Sequence, residues 1–406
     1  MARLVLKFGG TSVGDIERIK AVARRVKAAV DDGHEVAVVV SAMAGVTDRL
    51  AGWVSEAAQH HDAREYDAVV ATGEQVTSGL LALALQDIGV QARSWHGWQL
   101  PLHTDAEHGS ARILSIGIEE IRRPMAAGEV AVVTGYQGLS PEGRITTLGR
   151  GGSDTSAVAL AVALDADRCD ICTDVEGIYT ADPRIVSAAH MIDKITYEEM
   201  LEMASQGAKV LQTRAVAMAM RHRVRLRVLS SFTDSPGTLV VDEDEIMEKQ
   251  VVSGIAYSRD EAKITLINIH DKPGVAAAIF GPLAAANVRV DMIVQSISAE
   301  GSMADITFTV AKADLDRVVA LLEDAERGFE YKQLFFDRNV VKVSVIGVGM
   351  LSHAGVAARM FQSLADKGIN IQVISTSEIK VAVLIAEEYL ELALRSLHAA
   401  YGLDTA

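Results

Sequence analysis

The chain has 406 residues, enough for two to three domains at about 150 residues each, so a single small binding module is excluded. Acidic residues outnumber Lys and Arg by 54 to 39, a net charge of −15, which argues against a general binder of nucleic acid or anionic membrane. A hydrophobic share of 49% with only 5% aromatics is an Ala/Val/Ile/Leu composition, typical of layered α/β proteins with large cores.

The N-terminal forty residues read as strand, turn, helix and strand. RLVLKF is followed by the glycine-rich GGTSVG, and Ile16, Ile19, Ala23, Val26 and Val30 recur at helical spacing. The unbroken VAVVV at 36–40 suits a parallel strand covered on both faces. Further strands are expected at 130–134, 168–173 and 225–229, with helical patterns near 66–88, 153–165 and 196–222. This reads as one long α/β domain over residues 1–241. Arg221, Arg223, Arg225 and Arg227 lack aromatic interleaving and read as a helix end running into an edge strand rather than a nucleic-acid stripe. Cys169 and Cys172, the only cysteines, form C-x-x-C. With no further ligands grouped nearby, they read as two reduced thiols in a strand.

The longest uncharged stretches, 273–288 and 343–358, each have 16 residues, below the roughly 18 a membrane span needs. MARLVLKFGG lacks the pattern of a signal peptide. A cytoplasmic protein is expected. Residues 242–249, DEDEIMEK, read as a solvated acidic linker.

Beyond the linker the chain repeats itself. GVAAAIFGPLAAANVRVDMI from Gly274 aligns without gaps with GVAARMFQSLADKGINIQVI from Gly355, at an offset of 81 and with eight identities in twenty. The first copy, 263–337, reads βαββαβ, the ferredoxin-like order. The second, 340–402, stops one strand short. Either the strand-like segment 250–258 completes it, so that the first module is inserted in sequence into the second, or the second module lacks its edge strand.

Two glycine-rich turns point to anion chemistry. Lys7-Phe8-Gly9-Gly10-Thr11-Ser12 joins a strand to a helix, where backbone N–H groups and a lysine can receive phosphate. Leu148-Gly149-Arg150-Gly151-Gly152-Ser153-Asp154 places a cation and three glycines ahead of an apolar helix, with Ser153 and Asp154 as expected caps.

KFGGTS, SAMAGVTD, TGE at 72–74, GRGGSDTSA, TDVEGIYTADPR and GAKVL, in this order and spacing, resemble the aspartokinases of the amino-acid kinase superfamily. The C-terminal repeats resemble their paired ACT domains. The resemblance implies an amino-acid kinase fold, an αβα sandwich, followed by two ferredoxin-like βαββαβ modules. It also implies ATP- and Mg²⁺-dependent phosphorylation of the L-aspartate side chain, the entry to lysine, threonine and methionine.

By the same resemblance Lys7, Gly10 and Asp154 are catalytic, and Ser41, Thr47, Glu74, Arg150, Gly151 and Gly152 bind the substrate. Lys7, Gly9, Gly10, Thr173, Asp174, Tyr179, Asp182, Arg184 and Lys209 surround ATP, with no protein ligand named for the metal. An arginine fork suits a carboxylate and Glu74 suits an ammonium. The ACT modules imply feedback by lysine, threonine or both through Asp271, Gly274, Gln295, Asn370 and Ile371. The assembly is expected to be a homodimer through the ACT modules, or α2β2 with a regulatory subunit begun at Met247. Two rival readings are a kinase for another acidic amino acid or its N-acyl form, and a non-catalytic amino-acid sensor.

Overall fold

A computed structural model describes residues 1–208, 210–246, 251–297, 301–324, 329–353 and 355–404. Lys209 and Met247, singled out above, lie outside the described residues. The chain forms two compact units. One comprises Met1–Ile178, Met191–Ala204 and Lys209–Glu248, and the other Tyr179–His190, Ser205–Ala208 and Lys249–Ala406.

The strands of the first unit are β1 (Arg3–Phe8), β2 (Glu35–Val40), β3 (Ala92–Trp95), β4 (Leu102–Thr104), β5 (Ile113–Ile116), β6 (Val130–Thr134), β7 (Gln137–Leu139), β8 (Ile145–Thr147), β9 (Arg168–Thr173), β10 (Lys194–Thr196), β11 (Leu226–Ser230) and β12 (Thr238–Val241). Eight of them make one sheet in the order β10-β12-β11-β9-β1-β2-β6-β3, and β5-β4-β7-β8 make a smaller one. All neighbours in the large sheet are parallel except β11 and β12.

Helix α1 (Ile16–Asp31) covers one face. Two shorter helices, α2 (Val46–Ala57) and α3 (Ala63–Val70), precede α4 (Thr72–Asp87), which packs beside α1. Helix α5 (Glu119–Ala126) lies against β6, and α6 (Gly152–Leu164) crosses β1, β2 and β9. The result is an αβα sandwich. Strand alternation sends Leu4, Leu6 and Phe8 into the core shared with α1 and α4. Lys7 therefore falls on the opposite face, the one α6 covers.

Three expectations change. The helical pattern at 196–222 is two helices, α7 (Tyr197–Ser205) and α8 (Thr213–His222), interrupted around Gly207, whose φ of +114° no helix accommodates. Strand β11 is interior rather than an edge, because β12 returns antiparallel and covers it. Arg227 pairs with Asp170 of β9 and Arg225 with Glu245, so the acidic stretch is partly neutralised. Ser153 and Asp154 do not cap α6: its N-cap is Gly151, with no side-chain hydrogen bond, and Asp154 sits within the first turn. The two cysteines are free and buried. Three residues apart on β9, they face opposite sides of the sheet, so no bridge or shared metal can join them.

Residues 63–87 form an almost continuous helix, apolar and long enough on composition to cross a membrane, but half of its most apolar window is buried in the protein. Leu81 and Leu85 lie in the α1 core.

The second unit is built on β13 (Gly254–His270), β14 (Val290–Ile297), β15 (Met303–Val310), β16 (Gln333–Ile346), β17 (Val373–Thr376) and β18 (Lys380–Ala386), in the order β14-β15-β13-β16-β18-β17. Helices α9 (Val275–Ala285), α10 (Leu315–Glu323), α11 (Val356–Ala365) and α12 (Leu390–Ala400) complete it. Two strands are longer than the sequence suggested. The segments read as 250–258 and 263–270 merge into β13, and the last strand of the first copy merges with the first of the second into β16. Gly254–Ser258 pairs with Lys342–Ile346, while Lys263–Ile267 pairs with Gln333–Asp337. The repeat is visible in geometry too: Gly274 and Gly355 cap their helices at φ +93° and +99°.

Residues 179–190 depart from the expected 1–241 domain. Ala181 and Val186 enter the core of the second module, and the backbone N–H of Ile255 donates to Thr180 O at 2.8 Å. Apolar burial and this hydrogen bond draw the segment into the second unit.

Phe308 is fully buried and meets Phe280 edge-on at 5.2 Å. Phe308→Ala is expected to destabilise the first ACT-like module by about 3–5 kcal/mol, measured as an earlier denaturant transition by circular dichroism.

Candidate active site

The site grows from the end of β1. Lys7 Nζ lies 2.5 Å from Asp154 Oδ1, both side chains about one-tenth exposed. Burying a lone ammonium is costly, and a carboxylate from the first turn of α6 offsets it. The chain then folds over this pair: Gly9 N donates to Cys172 O at 3.3 Å, and a Cβ on Gly9 would stand 3.5 Å from Lys7 Nζ. The backbone there approaches the cation as closely as a phosphate-holding turn requires.

Close approaches at glycine join the next two motifs. A Cβ on Gly10 would lie 2.9 Å from Ala42 O, and one on Gly73 would lie 2.7 Å from the Ala42 Cβ. KFGGTS, SAMAGVTD and TGE therefore converge on Ala42. Ser41 N donates to Phe8 O at 3.1 Å, and Ala42 N donates to Glu74 Oε1 at 3.0 Å. Ser41 and Thr47 are half-buried in this loop.

Glu74 is 3% exposed, and its second oxygen, Oε2, is buried with no hydrogen-bond partner among the described residues. Burial pushes its carboxyl up to about 7, against the opposing hydrogen bond from Ala42 N–H. A buried carboxyl with one oxygen unused is built to receive a donor or a cation.

The GRGGSD loop supplies the opposite charge. Gly151 has φ +72°, and a Cβ there would overlap Gln212 Cγ at 1.7 Å, so only glycine fits. Arg150 is exposed and has no ion-pair partner among the described residues. Gly152 packs against Tyr136: a Cβ on it would meet the Tyr136 ring at 3.0 Å.

Tyr136 was not anticipated. It holds φ +67°, a conformation rare for a bulky residue and concentrated at functional sites. Its N–H donates to Ser156 Oγ at 3.1 Å, and it follows β6, whose sequence gives no sign of strain. Asp67 and Arg214 were also missed. Asp67 is wholly buried, and Arg214 donates to Leu148 O at 2.7 Å and Ala111 O at 2.9 Å. Arg214 carried a signal, a lone charge ahead of the apolar run AVAMAM in α8, whereas Asp67, beside Arg64 and Glu65 in α3, carried none.

The residues expected around ATP do not all fall in one unit. Thr173 ends β9 and Asp174 follows it, with Thr173 Oγ1 donating to Asp174 Oδ1 at 3.1 Å. Tyr179, Asp182 and Arg184 belong to the second unit. There Asp182 pairs with Arg184 at 2.8 Å and accepts from Tyr257 Oη at 2.9 Å. The Arg184 guanidinium holds the Asp182 carboxyl below its ordinary range.

Among the regulatory candidates, Gln295 Nε2 donates to Asp271 Oδ1 at 3.2 Å, and Gly274 opens α9. Asn370 and Ile371 precede β17, with no hydrogen bond to Asp271 or Gln295 among the described residues. Ile371 packs against the second module's core.

Comparison with known proteins agrees with this arrangement. The model of the amino acid kinase family matches residues 2–230, and that of the ACT domain matches 264–325 and 343–401. An aspartate kinase of Stutzerimonas stutzeri is 55% identical over 405 residues, covering 100% of this chain and 98% of that protein. An aspartokinase of Pseudomonas aeruginosa is 54% identical over 406 residues, with coverage of 100% and 98%. Among solved structures, E. coli aspartokinase III in complex with aspartate and ADP matches with a TM-score of 0.80 at 28% identity, over 98% of this chain and 99% of that one. The complex of the same enzyme with lysine and aspartate gives 0.78 at 29% identity, over 98% of each. These likenesses run the length of both units, and the chain belongs to the aspartate kinases of the amino acid kinase family, with two ACT domains.

Proposed function

We propose that the chain transfers the γ-phosphoryl group of ATP to the side-chain carboxylate of L-aspartate, giving 4-phospho-L-aspartate, under feedback control through its ACT domains. One observation carries the choice of substrate. Glu74 offers a buried, unpartnered carboxylate oxygen, joined through Ala42 to the lysine and glycine turn. A free amino acid brings an ammonium to that oxygen, whereas an N-acyl amino acid brings none. Arg150, exposed and unpaired among the described residues, is the matching receiver for a carboxylate, with Ser41, Thr47 and the Gly151 and Gly152 backbone as further donors.

In this mechanism Lys7 Nζ and the backbone N–H groups of Gly9 and Gly10 receive the charge that develops on the transferring phosphoryl. Asp154 keeps Lys7 aimed rather than taking part itself. Both reactants are anions, so positioning and charge neutralisation supply the rate, and no covalent intermediate with the enzyme is needed. Thr173, Asp174, Tyr179, Asp182, Arg184 and Lys209 are the nucleotide's partners in this reading. A phosphate-bound Mg²⁺ supplies further neutralisation when present. No cluster of three or more metal-ligating side chains gathers among the described residues.

Lysine, threonine or both would act at the Asp271, Gly274 and Gln295 end of the first ACT domain, together with Asn370 and Ile371 of the second. An effector inhibits only if it prefers an inactive arrangement. E. coli aspartokinase III has been solved with lysine and aspartate, which supports lysine as a ligand class. For the assembly we propose a homodimer through the ACT domains, with α2β2 as the alternative. A native-extract immunoblot showing a second, shorter product would favour α2β2.

Three measurements test the reading. Lys7→Ala should lower kcat by about 10² to 10³ without altering the circular dichroism spectrum, and turnover equal to wild type would remove Lys7 from the catalytic machinery. Glu74 must be ionised to hold an ammonium and is half protonated near pH 7, so kcat/KM for L-aspartate should fall about tenfold per pH unit below that point. Glu74→Gln should flatten this profile, whereas a profile unchanged by the substitution would remove Glu74 from the substrate site. Initial rates with saturating lysine and threonine should fall, with Asp271→Ala relieving the inhibition, and full activity with both present would overturn the regulatory reading.

A further inference from the structure

The helical run from Ala63 to Asp87 carries two buried carboxylates seven residues apart, Asp67 and Glu74. Seven residues is nearly two full turns, so both project from one face, about 10 Å apart along the axis. They differ in what they hold. Glu74 leaves an oxygen unused, whereas Asp67 is saturated. Thr147 Oγ1 donates to Asp67 Oδ1 at 2.5 Å. On Oδ2, Thr147 N donates at 3.0 Å, Gly109 N donates at 3.0 Å, and His108 Nδ1 lies 2.8 Å away. Four partners for one enclosed carboxylate make a rigid, fully satisfied node.

That node stands three residues before Arg150. The intervening backbone is held from two more sides. Arg214 donates to Leu148 O at 2.7 Å, and Gly149 passes so close to Gly109 that a Cβ would meet its carbonyl oxygen at 3.1 Å. Gly151 on the far side is pressed against Gln212, and between these anchored glycines Arg150 stands exposed.

We propose that Asp67 is a positioning residue for the substrate: it ties the Arg150 loop to the helix that carries Glu74, so that the cation and the anion facing the amino acid keep a fixed separation. The proposal rests on the reading of Arg150 as a substrate carboxylate partner. Asp67 itself touches no reactant. Its effect belongs in recognition of the amino acid, not in nucleotide binding or in the chemical step.

The test is steady-state kinetics on the full-length chain. Asp67→Asn keeps the shape but turns an acceptor into a donor that faces donors. Thr147→Val removes one hydrogen bond and keeps the backbone N–H, so it answers the question even if Asp67→Asn folds poorly. Expected is a rise in KM for L-aspartate of about tenfold for Asp67→Asn and a smaller rise for Thr147→Val, with KM for ATP within about twofold of wild type. In an Arg150→Ala background, Asp67→Asn should raise that KM no further. A KM for L-aspartate within about twofold of wild type in both single variants, whatever their melting temperatures, would overturn the proposal. So would full additivity with Arg150→Ala. If Arg150→Ala alone leaves that KM unchanged, the reading of Arg150 fails instead, and the two failures are told apart.

Discussion

Lys7 and Asp154 meet because a strand alternates and a helix does not. On β1 the odd positions Val5 and Lys7 face α6 while Leu6 and Phe8 enter the opposite core, so the last odd residue before the glycine turn delivers its ammonium under the first turn of α6. Neither charge could be enclosed alone, since an unpaired ammonium or carboxylate of that burial would expel water without compensation. The pair therefore commits the ends of two elements to each other. The rest of the site follows from that: Gly9 can cross above the lysine, Gly10 can press on Ala42, and Ala42 can hold Glu74.

This ordering explains what could be read without coordinates. Lys7, Gly9, Gly10, Arg150 and Asp154 stood out because glycines beside a charge at a strand end or a helix start form a recognisable pattern, although Asp154 pairs with Lys7 rather than capping α6. The repeat at an offset of 81 was visible because two copies of one unit preserve the same apolar and glycine positions. Tyr136 was hidden, because a left-handed backbone torsion is imposed by neighbours and leaves no trace in composition. Asp67 was hidden for a related reason. A carboxylate on a helix defaults to the surface, and only the loop of residues 108–109 and the end of β8 at Thr147, distant in sequence, supply the donors that make it a core residue.

Boundaries were harder than motifs. A break at residue 241 was expected from the linker's charge, yet the first unit runs on to Glu248, and Ala181 and Val186 obey a different rule: apolar residues go where a core will take them, and here that core belongs to the second unit. The acidic run shows the converse. Its charge reads as solvation, yet Arg225, the residue before β11, reaches Glu245 at 2.5 Å.

The long strands β13 and β16 bear on how such a protein can change over time. Each runs through both ACT domains, so the duplicated units share one backbone ladder and cannot be separated at a loop. Excising either copy would cut two strands in mid-course and leave unpaired edges in what remained, a state prone to aggregation. A lineage carrying this arrangement can retune each copy by point substitution, but it cannot discard one, swap one for a foreign cassette, or add a third in tandem without first breaking the sheet that both copies inhabit.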